Sequence, residues 1–154
     1  MIINSGRHYV AKMYGESRSA AHLMLRTLFV LQLVLLTGCG AKNDEQVVRG
    51  KALYEANCAS CHGIEGEGAP NWQQPDATGA FPAPPHDGSG HTWHHPDQQL
   101  LQIIAEGGPL SGSQMPPFGD ELTQEEMEAI LAYIKTFWSP EQRETQADIT
   151  RRAQ

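Results

Sequence analysis

Apolar residues recur at helical spacing in three separate segments after residue 43. The first segment, "DEQVVRGKALYEANC", places Val47, Gly50 and Tyr54 on one face at i, i+3 and i+7. Asn43 or Asp44 can cap this segment, and acidic residues fill its first turn. The pattern therefore predicts a helix that begins near residue 44 and ends at Cys58.

The second segment, "PDQQLLQIIAEGGP", carries its apolar stripe on four residues. These are Leu100, Leu101, Ile103 and Ile104. Asp97 is the expected N-cap of this helix, and the run Gly107, Gly108 and Pro109 is expected to end it, since Gly favours helix C-termini and Pro follows them.

The third segment has the clearest signals. Thr123 and Glu126 stand at the spacing of a capping box, and Pro140 is expected to end the helix. Its apolar positions are Met127, Ile130, Leu131, Ile134, Phe137 and Trp138. Beyond it, residues 139–154 form a polar tail that we expect to fray from Glu141 onward.

Between the first two segments the periodicity disappears. Residues 63–96 are punctuated by Gly and Pro, and a loop of this length inside a compact domain usually serves a function or surrounds a ligand. No segment has the alternation of a convincing strand. We therefore predict an all-α fold of about three main helices with long Gly/Pro-rich loops, over residues 46–138. These helices provide too little apolar surface for an ordinary core, so something else should fill the centre.

The chain begins with a predicted secretory leader. Residues 28–36, "LFVLQLVLL", follow Arg26 and precede small residues, and the run is too short to span a bilayer. The ending "LTGC" resembles a bacterial lipobox, in which Cys39 would carry the lipid and become the mature N-terminus. The alternative is an ordinary signal peptide or an anchoring helix with an incidental cysteine. Met24 offers a start that would leave residues 1–23 upstream.

We accordingly divide the chain into a signal peptide (1–38), a lipid-anchored tether (39–45), the helical domain and the polar tail. The leader has four basic residues and one glutamate, so its removal changes the formal net charge from −7 to −10. Such an acidic chain is a poor candidate for binding nucleic acid. It is compatible with a partner that presents basic patches.

The chemistry of the chain is concentrated in "NCASCHG", residues 57–63. C-x-x-C-H is the attachment pattern of c-type haem, in which Cys58 and Cys61 add to the two vinyl groups and His62 binds the iron. A redox dithiol would require a βαβ setting, which the pattern does not provide. A zinc half-site would need further ligands, and a disulfide would leave His62 without a role. The motif therefore predicts one covalent haem c.

An electron-carrying haem usually has a second protein ligand. The candidates are Met115, Met127 and four loop histidines, which are His86, His91, His94 and His95. Met127 lies on the apolar face of the third helix, which indicates a core position. Met115 stands in a loop that Pro116 and Pro117 stiffen, and a thioether ligand raises the potential of the iron. We therefore favour Met115.

These features together resemble a class I monohaem cytochrome c of bacteria, in its lipoprotein form. The resemblance covers about residues 44–138 and rests on Gly50 and Tyr54, "CASCHG" (58–63), "MPPF" (115–118) and "ILAYIKTFW" (130–138). It implies that the first and last helices cross at a glycine, with an aromatic residue against it. Gly50 and Tyr133 match these roles.

The resemblance also implies a proline carbonyl that accepts a hydrogen bond from the ligand histidine. Pro84 is the candidate, in "PAPPHDGSG", where His86 replaces the family's leucine, and Pro70 is the alternative. Trp93 is a candidate to donate its indole N–H to a haem propionate or to cover the porphyrin edge.

With both axial positions filled, substrate cannot reach the iron. We therefore predict an electron carrier rather than an enzyme, with no small-molecule substrate, on the periplasmic side of a bacterial membrane. Its partners would be periplasmic or membrane redox proteins. The alternatives are a haem-based sensor or peroxidase-like protein with a labile Met115, and a copper-handling module built from the histidines of residues 86–95.

Overall fold

The computed structural model describes residues 38–110 and 112–154, with side chains from residue 43 onward. The predicted signal peptide lies outside the described residues apart from Gly38, and so does the thiol of Cys39. The account below concerns the compact unit Asn43–Gln154, together with the first residues of the helix that leads into it.

Five α-helices make up the described part of the chain. Helix α1 spans Gly38–Asn57, α2 spans Ala59–His62, α3 spans Asp97–Glu106, α4 spans Gln124–Ile134 and α5 spans Pro140–Arg152. Short 3-10 turns lie at Thr92–His94 and Lys135–Phe137. The only β contact among these residues is an isolated bridge between Phe81 and Ser113. The all-α prediction is therefore confirmed.

Helix α1 begins earlier than predicted. Its first described residue is Gly38, so Asn43 and Asp44 lie within the helix and are not its caps. Residues 39–45, predicted as a tether, are helical as well. Ala41, Lys42 and Glu45 in this stretch are good helix formers, so the helix propensity of the sequence is sufficient to extend the helix in front of Asn43.

Helices α1 and α4 come into backbone contact at Gly50. A Cβ atom on Gly50 would clash with the carbonyl oxygen of Ala129 and would lie 3.1 Å from Cβ of Tyr133. An ion pair between Arg49 and Glu126, at 2.9 Å, joins the same two helices. The close crossing predicted at Gly50 is present. The nearest neighbour of Gly50 is the backbone of Ala129, and Tyr133 lies one helical turn further along α4.

The observed ends of α3 and α4 agree only in part with the ends predicted from the sequence. The capping box of Thr123 and Glu126 is formed, as predicted. Asp97 is not a cap, since its carboxylate instead accepts hydrogen bonds from Nζ of Lys135, at 2.7 Å to each oxygen. Helix α4 ends at Ile134, before the predicted stop at Pro140, because a 3-10 turn takes over there.

The polar tail does not fray, contrary to our prediction. Ser139 and Gln142 form a capping box, and Pro140 occupies the first turn, where its missing N–H costs nothing. The side chain of Gln146 is buried, at 1% exposure, and its amide donates to the carbonyl of His95 at 3.2 Å. Helix α5 is therefore packed against the histidine-rich loop.

The apolar core is small and lies beside a large cavity. Its buried members are Tyr54, Leu100, Ile104, Leu122, Met127, Ile130, Leu131, Ile134 and Trp138. They come from α1, α3 and α4 and from the segments that adjoin α4. The prediction that these helices leave the centre open agrees with this arrangement. Among the described helices, none is both long enough and apolar enough to cross a membrane.

Candidate functional site

A cavity of about 790 Å³ opens between helices α2, α3 and α4, the loop that joins α2 to α3 and the loop that joins α3 to α4. This volume lies within the range of sites that hold a cofactor or drug-sized ligand. Cys58, Cys61, His62 and Met115 all line it, so four residues singled out from the sequence meet in one place. Its apolar wall includes Leu100, Ile103, Ile104, Leu122, Ile130, Leu131 and Ile134.

His62 is held in one orientation at the wall of this cavity. The imidazole is 7% exposed, and its Nδ1 lies 2.8 Å from the carbonyl oxygen of Pro84. Because a carbonyl can only accept, Nδ1 carries the proton and Nε2 keeps a free lone pair. Burial lowers the pKa of His62 below its ordinary value, although the hydrogen bond to Pro84 acts in the opposite direction. The neutral ring is the form that binds a metal.

The loop after α2 brings the Pro84 carbonyl to this position. Gly63 ends α2 with φ of 82°, a left-handed conformation that favours glycine. The chain then returns along residues 83–87, where the N–H of Ala69 donates to the carbonyl of Ala83 at 2.9 Å. Gly68 packs so closely on Pro85 that a Cβ atom would lie 2.5 Å from its nitrogen. Pro70, the alternative candidate, is exposed and does not line the cavity.

The two thiols differ in exposure, with Cys58 half-buried and Cys61 exposed, and both are free. Burial, together with the nearby Cys61, raises the pKa of the Cys58 thiol to about 11. Reactive dithiols depend on a lowered cysteine pKa, so this environment disfavours the redox-dithiol alternative. The described residues contain no group of three or more His, Cys, Asp or Glu side chains that could hold a metal ion.

Met115 lies on the loop between α3 and α4, and its backbone is held on both sides. Its N–H donates to Oγ of Ser113 at 3.3 Å, and its carbonyl accepts from the N–H of Gly108 at 3.2 Å. Met127 is 5% exposed in the apolar core and is not among the residues that line the cavity. The structure thus brings Met115, rather than Met127, to the same cavity as His62.

The loop histidines have different surroundings. The ring of His86 stacks on that of His62, with centroids 4.0 Å apart and an angle of 17° between the planes. Burial, with the neighbouring His62 and His91, lowers the pKa of His86 well below its ordinary value. His91 and His95 line the cavity, whereas His94 is exposed and does not. The stacking of His86 on His62 could not be read from the sequence.

Trp93 packs against the apolar core, and its Nε1 is buried without a hydrogen-bond partner among the described residues. It does not line the cavity itself, but its neighbours Thr92 and His95 do. Burying an N–H without an acceptor is costly. An acceptor group placed near this donor would remove that cost.

A family model described as cytochrome c matches residues 47–138. The chain belongs to the cytochrome c family. A single C-x-x-C-H motif in a domain of this size corresponds to one covalently bound haem c, and electron transfer is the function of c-type cytochromes. The prediction of a monohaem c-type cytochrome with an all-α fold and one haem c is confirmed.

Relatives of this cytochrome include proteins of very different length. It is 35% identical over 97 residues to the Cbb3-type cytochrome c oxidase subunit FixP of Sinorhizobium medicae (strain WSM419), covering 57% of this chain and 29% of that protein. It is 32% identical over 93 residues to cytochrome c-554(547) of Halothiobacillus neapolitanus, covering 56% of this chain and 91% of that one. This cytochrome therefore spans less than a third of the FixP subunit.

A further relative is the 1-butanol dehydrogenase (cytochrome c) of Thauera butanivorans, 33% identical over 92 residues, which are 60% of this chain and 11% of that protein. The crystal structure of cytochrome CL from Methylophaga aminisulfidivorans MPT aligns with a TM-score of 0.50. That alignment covers 66% of this chain and 61% of the other at 24% identity, so it concerns the fold alone.

Proposed function

We propose that this cytochrome is a one-electron carrier in which His62 and Met115 are the axial ligands of the haem iron. The observation that carries the proposal is the meeting of both side chains in one cavity with the thiols of Cys58 and Cys61. Nε2 of His62 has the free lone pair that coordination requires. The backbone N–H and carbonyl of Met115 are both hydrogen-bonded, which fixes the position of its loop. In this role the two cysteines form the thioether bonds.

The haem supplies reversible one-electron chemistry at the iron, and the protein supplies its ligands and its surroundings. The carbonyl of Pro84 orients the His62 ring and makes its other nitrogen a stronger donor. The thioether of Met115 favours the ferrous state and so raises the potential. Because both ligands come from the chain, no coordination position remains for a substrate.

Trp93 would donate a hydrogen bond from its indole N–H to a propionate of the haem. Its buried indole N–H has no acceptor among the described residues, and a propionate oxygen would provide one. A charge-assisted hydrogen bond of this kind is stronger than a neutral one. The exposed residues Phe81 and Leu110 lie at the edge of the cavity and would border the porphyrin.

The carrier would act on the periplasmic side of a bacterial membrane, anchored by lipid on Cys39. The support is the sequence alone, namely the short apolar leader and the "LTGC" ending. Its partners would be periplasmic or membrane redox proteins. Two relatives bear the names of an oxidase subunit and an alcohol dehydrogenase, which is in keeping with a partner of either kind.

The decisive experiment compares Met115→Leu with Met127→Leu in protein produced with intact haem maturation. Wild type should show low-spin ferric iron with a thioether-to-iron charge-transfer band. Met115→Leu should lose that band and have a lower potential, because it lacks the thioether. Met127→Leu, a volume-conserving change in the core, should retain both. A charge-transfer band that persists in Met115→Leu would exclude Met115 as the ligand.

A further inference from the structure

His86 is held rigidly against the proposed ligand histidine. Its backbone N–H donates to the carbonyl of Gly66 at 2.7 Å, and its backbone carbonyl accepts from Nε1 of Trp138 at 2.8 Å. The edge of its ring meets the buried ring of Tyr54, with centroids 6.2 Å apart. Its face lies nearly parallel to that of His62 at 4.0 Å. The backbone and the ring of His86 are therefore both restrained.

A hydrogen bond also fixes the rotation of the His86 ring. Thr92 is buried, and its hydroxyl donates to the carbonyl of Pro85 at 3.3 Å. Since that proton is committed, Oγ1 of Thr92 accepts from Nδ1 of His86, at 3.1 Å. The Nδ1 atoms of His62 and His86 thus both bond to the loop of residues 84–92.

The two restraints on His62 do different things. The bond from its Nδ1 to Pro84 fixes one direction in the ring plane, but the ring can still swing about that direction. A flat neighbour in van der Waals contact removes this freedom, because any swing would push one edge of His62 into the face of His86. Pro84 and His86 together therefore define both the direction and the plane of the imidazole.

We propose that His86 is a positioning residue that sets the plane of the His62 imidazole relative to the haem, and so tunes the electronic state of the iron. The proposal rests on the proposed role of His62 as axial ligand. Mutation of a group that orients a metal ligand typically costs about 10–100-fold in metal affinity or activity. Because the ring of His86 stacks on that of His62, the two histidines approach the cavity together, and His86 would act through His62 rather than as a separate ligand.

The test compares His86→Leu, which removes the flat face, with His86→Phe, which retains one. His94→Leu is the matched control, since His94 lies on the same loop, is exposed, and has its ring against Trp93 rather than against His62. Ferric EPR g-values and the paramagnetically shifted haem methyl resonances report the plane of an axial imidazole. Both should change in His86→Leu, together with the midpoint potential, and both should stay near wild type in His86→Phe and His94→Leu.

Wild-type g-values and methyl shifts in a folded, haem-loaded His86→Leu protein would overturn the proposal. Should that variant fail to retain haem, Thr92→Val takes its place, since it keeps both rings but removes the acceptor of Nδ1. It should alter the same spectra in the same direction, and unaltered spectra would equally overturn the proposal. Failure of the ligand assignment itself is distinguishable, because the wild-type spectrum would then lack nitrogen–thioether ligation before any variant is compared.

Discussion

Gly50→Ala should destabilise the cytochrome, although alanine is the better helix former. In an exposed helical position this change would stabilise the protein by about 1 kcal/mol. At Gly50 the added Cβ would clash with the carbonyl oxygen of Ala129 and would lie 2.5 Å from its carbonyl carbon. Both are backbone atoms of α4, so no side-chain rotation can relieve the contact and the two helices must separate.

The magnitude follows from these two opposing effects. Overpacking of a close contact costs about 1–3 kcal/mol, and a clash with backbone belongs at the upper end of that range. After the gain in helix propensity, we expect a net loss of about 2 kcal/mol in the free energy of unfolding. For a domain of about 100 residues this corresponds to a fall in Tm of roughly 8–16 °C.

Guanidinium titration of the haem-loaded protein, followed by far-UV circular dichroism, would measure this loss. The control is Ala52→Gly, an exposed position in the same helix, which should cost about 1 kcal/mol through propensity alone. A Gly50→Ala protein as stable as wild type, or more stable, would refute the close crossing of α1 and α4. An unchanged denaturant slope would show that the difference lies in stability and not in the extent of unfolding.

Three further predictions concern α5, the Asp97–Lys135 pair and the leader. Gln146→Ala should lower the free energy of unfolding by about 1–3 kcal/mol, because this buried amide donates to the carbonyl of His95 and to the carboxylate of Asp97, and the variant leaves both acceptors short of a donor. Gln98→Ala, at an exposed position, should change it little. Burial raises the pKa of Asp97, but hydrogen bonds from Lys135 and Gln146 outweigh this effect and hold the pKa below its ordinary value. The ion pair therefore stabilises the fold above the unfolded-state pKa of about 4, and this contribution is lost as the pH falls through the lower folded-state value. Stability measured from pH 7 down to 2 should show that loss in wild type, and Asp97→Asn should lack it; parallel curves would contradict the assignment. Cys39→Ser should prevent incorporation of labelled palmitate and release the protein from the membrane fraction, while equal labelling of both proteins would exclude Cys39 as the lipid attachment site.

Local signals in the sequence predicted much of this cytochrome correctly. The capping box of Thr123 and Glu126 depends on two residues one helical turn apart, and Gly107 ends α3 because its backbone must adopt a positive φ. The C-x-x-C-H motif is equally local, since its cysteines and histidine must match one porphyrin. In each case the interacting groups lie within a few positions of each other, so their spacing along the chain already describes their geometry.

The sequence misled us where a local preference competed with distant contacts. The polar composition of residues 139–154 indicated a frayed tail, yet Gln146 is buried by contacts with residues about 50 positions away. Asp97 had the position of an N-cap, but Lys135, 38 residues further on, takes its carboxylate. The carboxylate of Asp97 cannot both cap α3 and pair with Lys135. Partial burial and the full positive charge of Lys135 favour the ion pair over the cap.

The composition and motifs of the chain were enough to establish a helical domain, a covalent haem and a histidine at its attachment motif. The folded chain was needed to choose the carbonyl of Pro84 over that of Pro70, to bring the backbone of Ala129 against Gly50 and to lay the ring of His86 on His62. These contacts join residues 22 or more positions apart. Which distant atoms meet depends on how the loops close around the cavity, and no spacing along the chain encodes that closure.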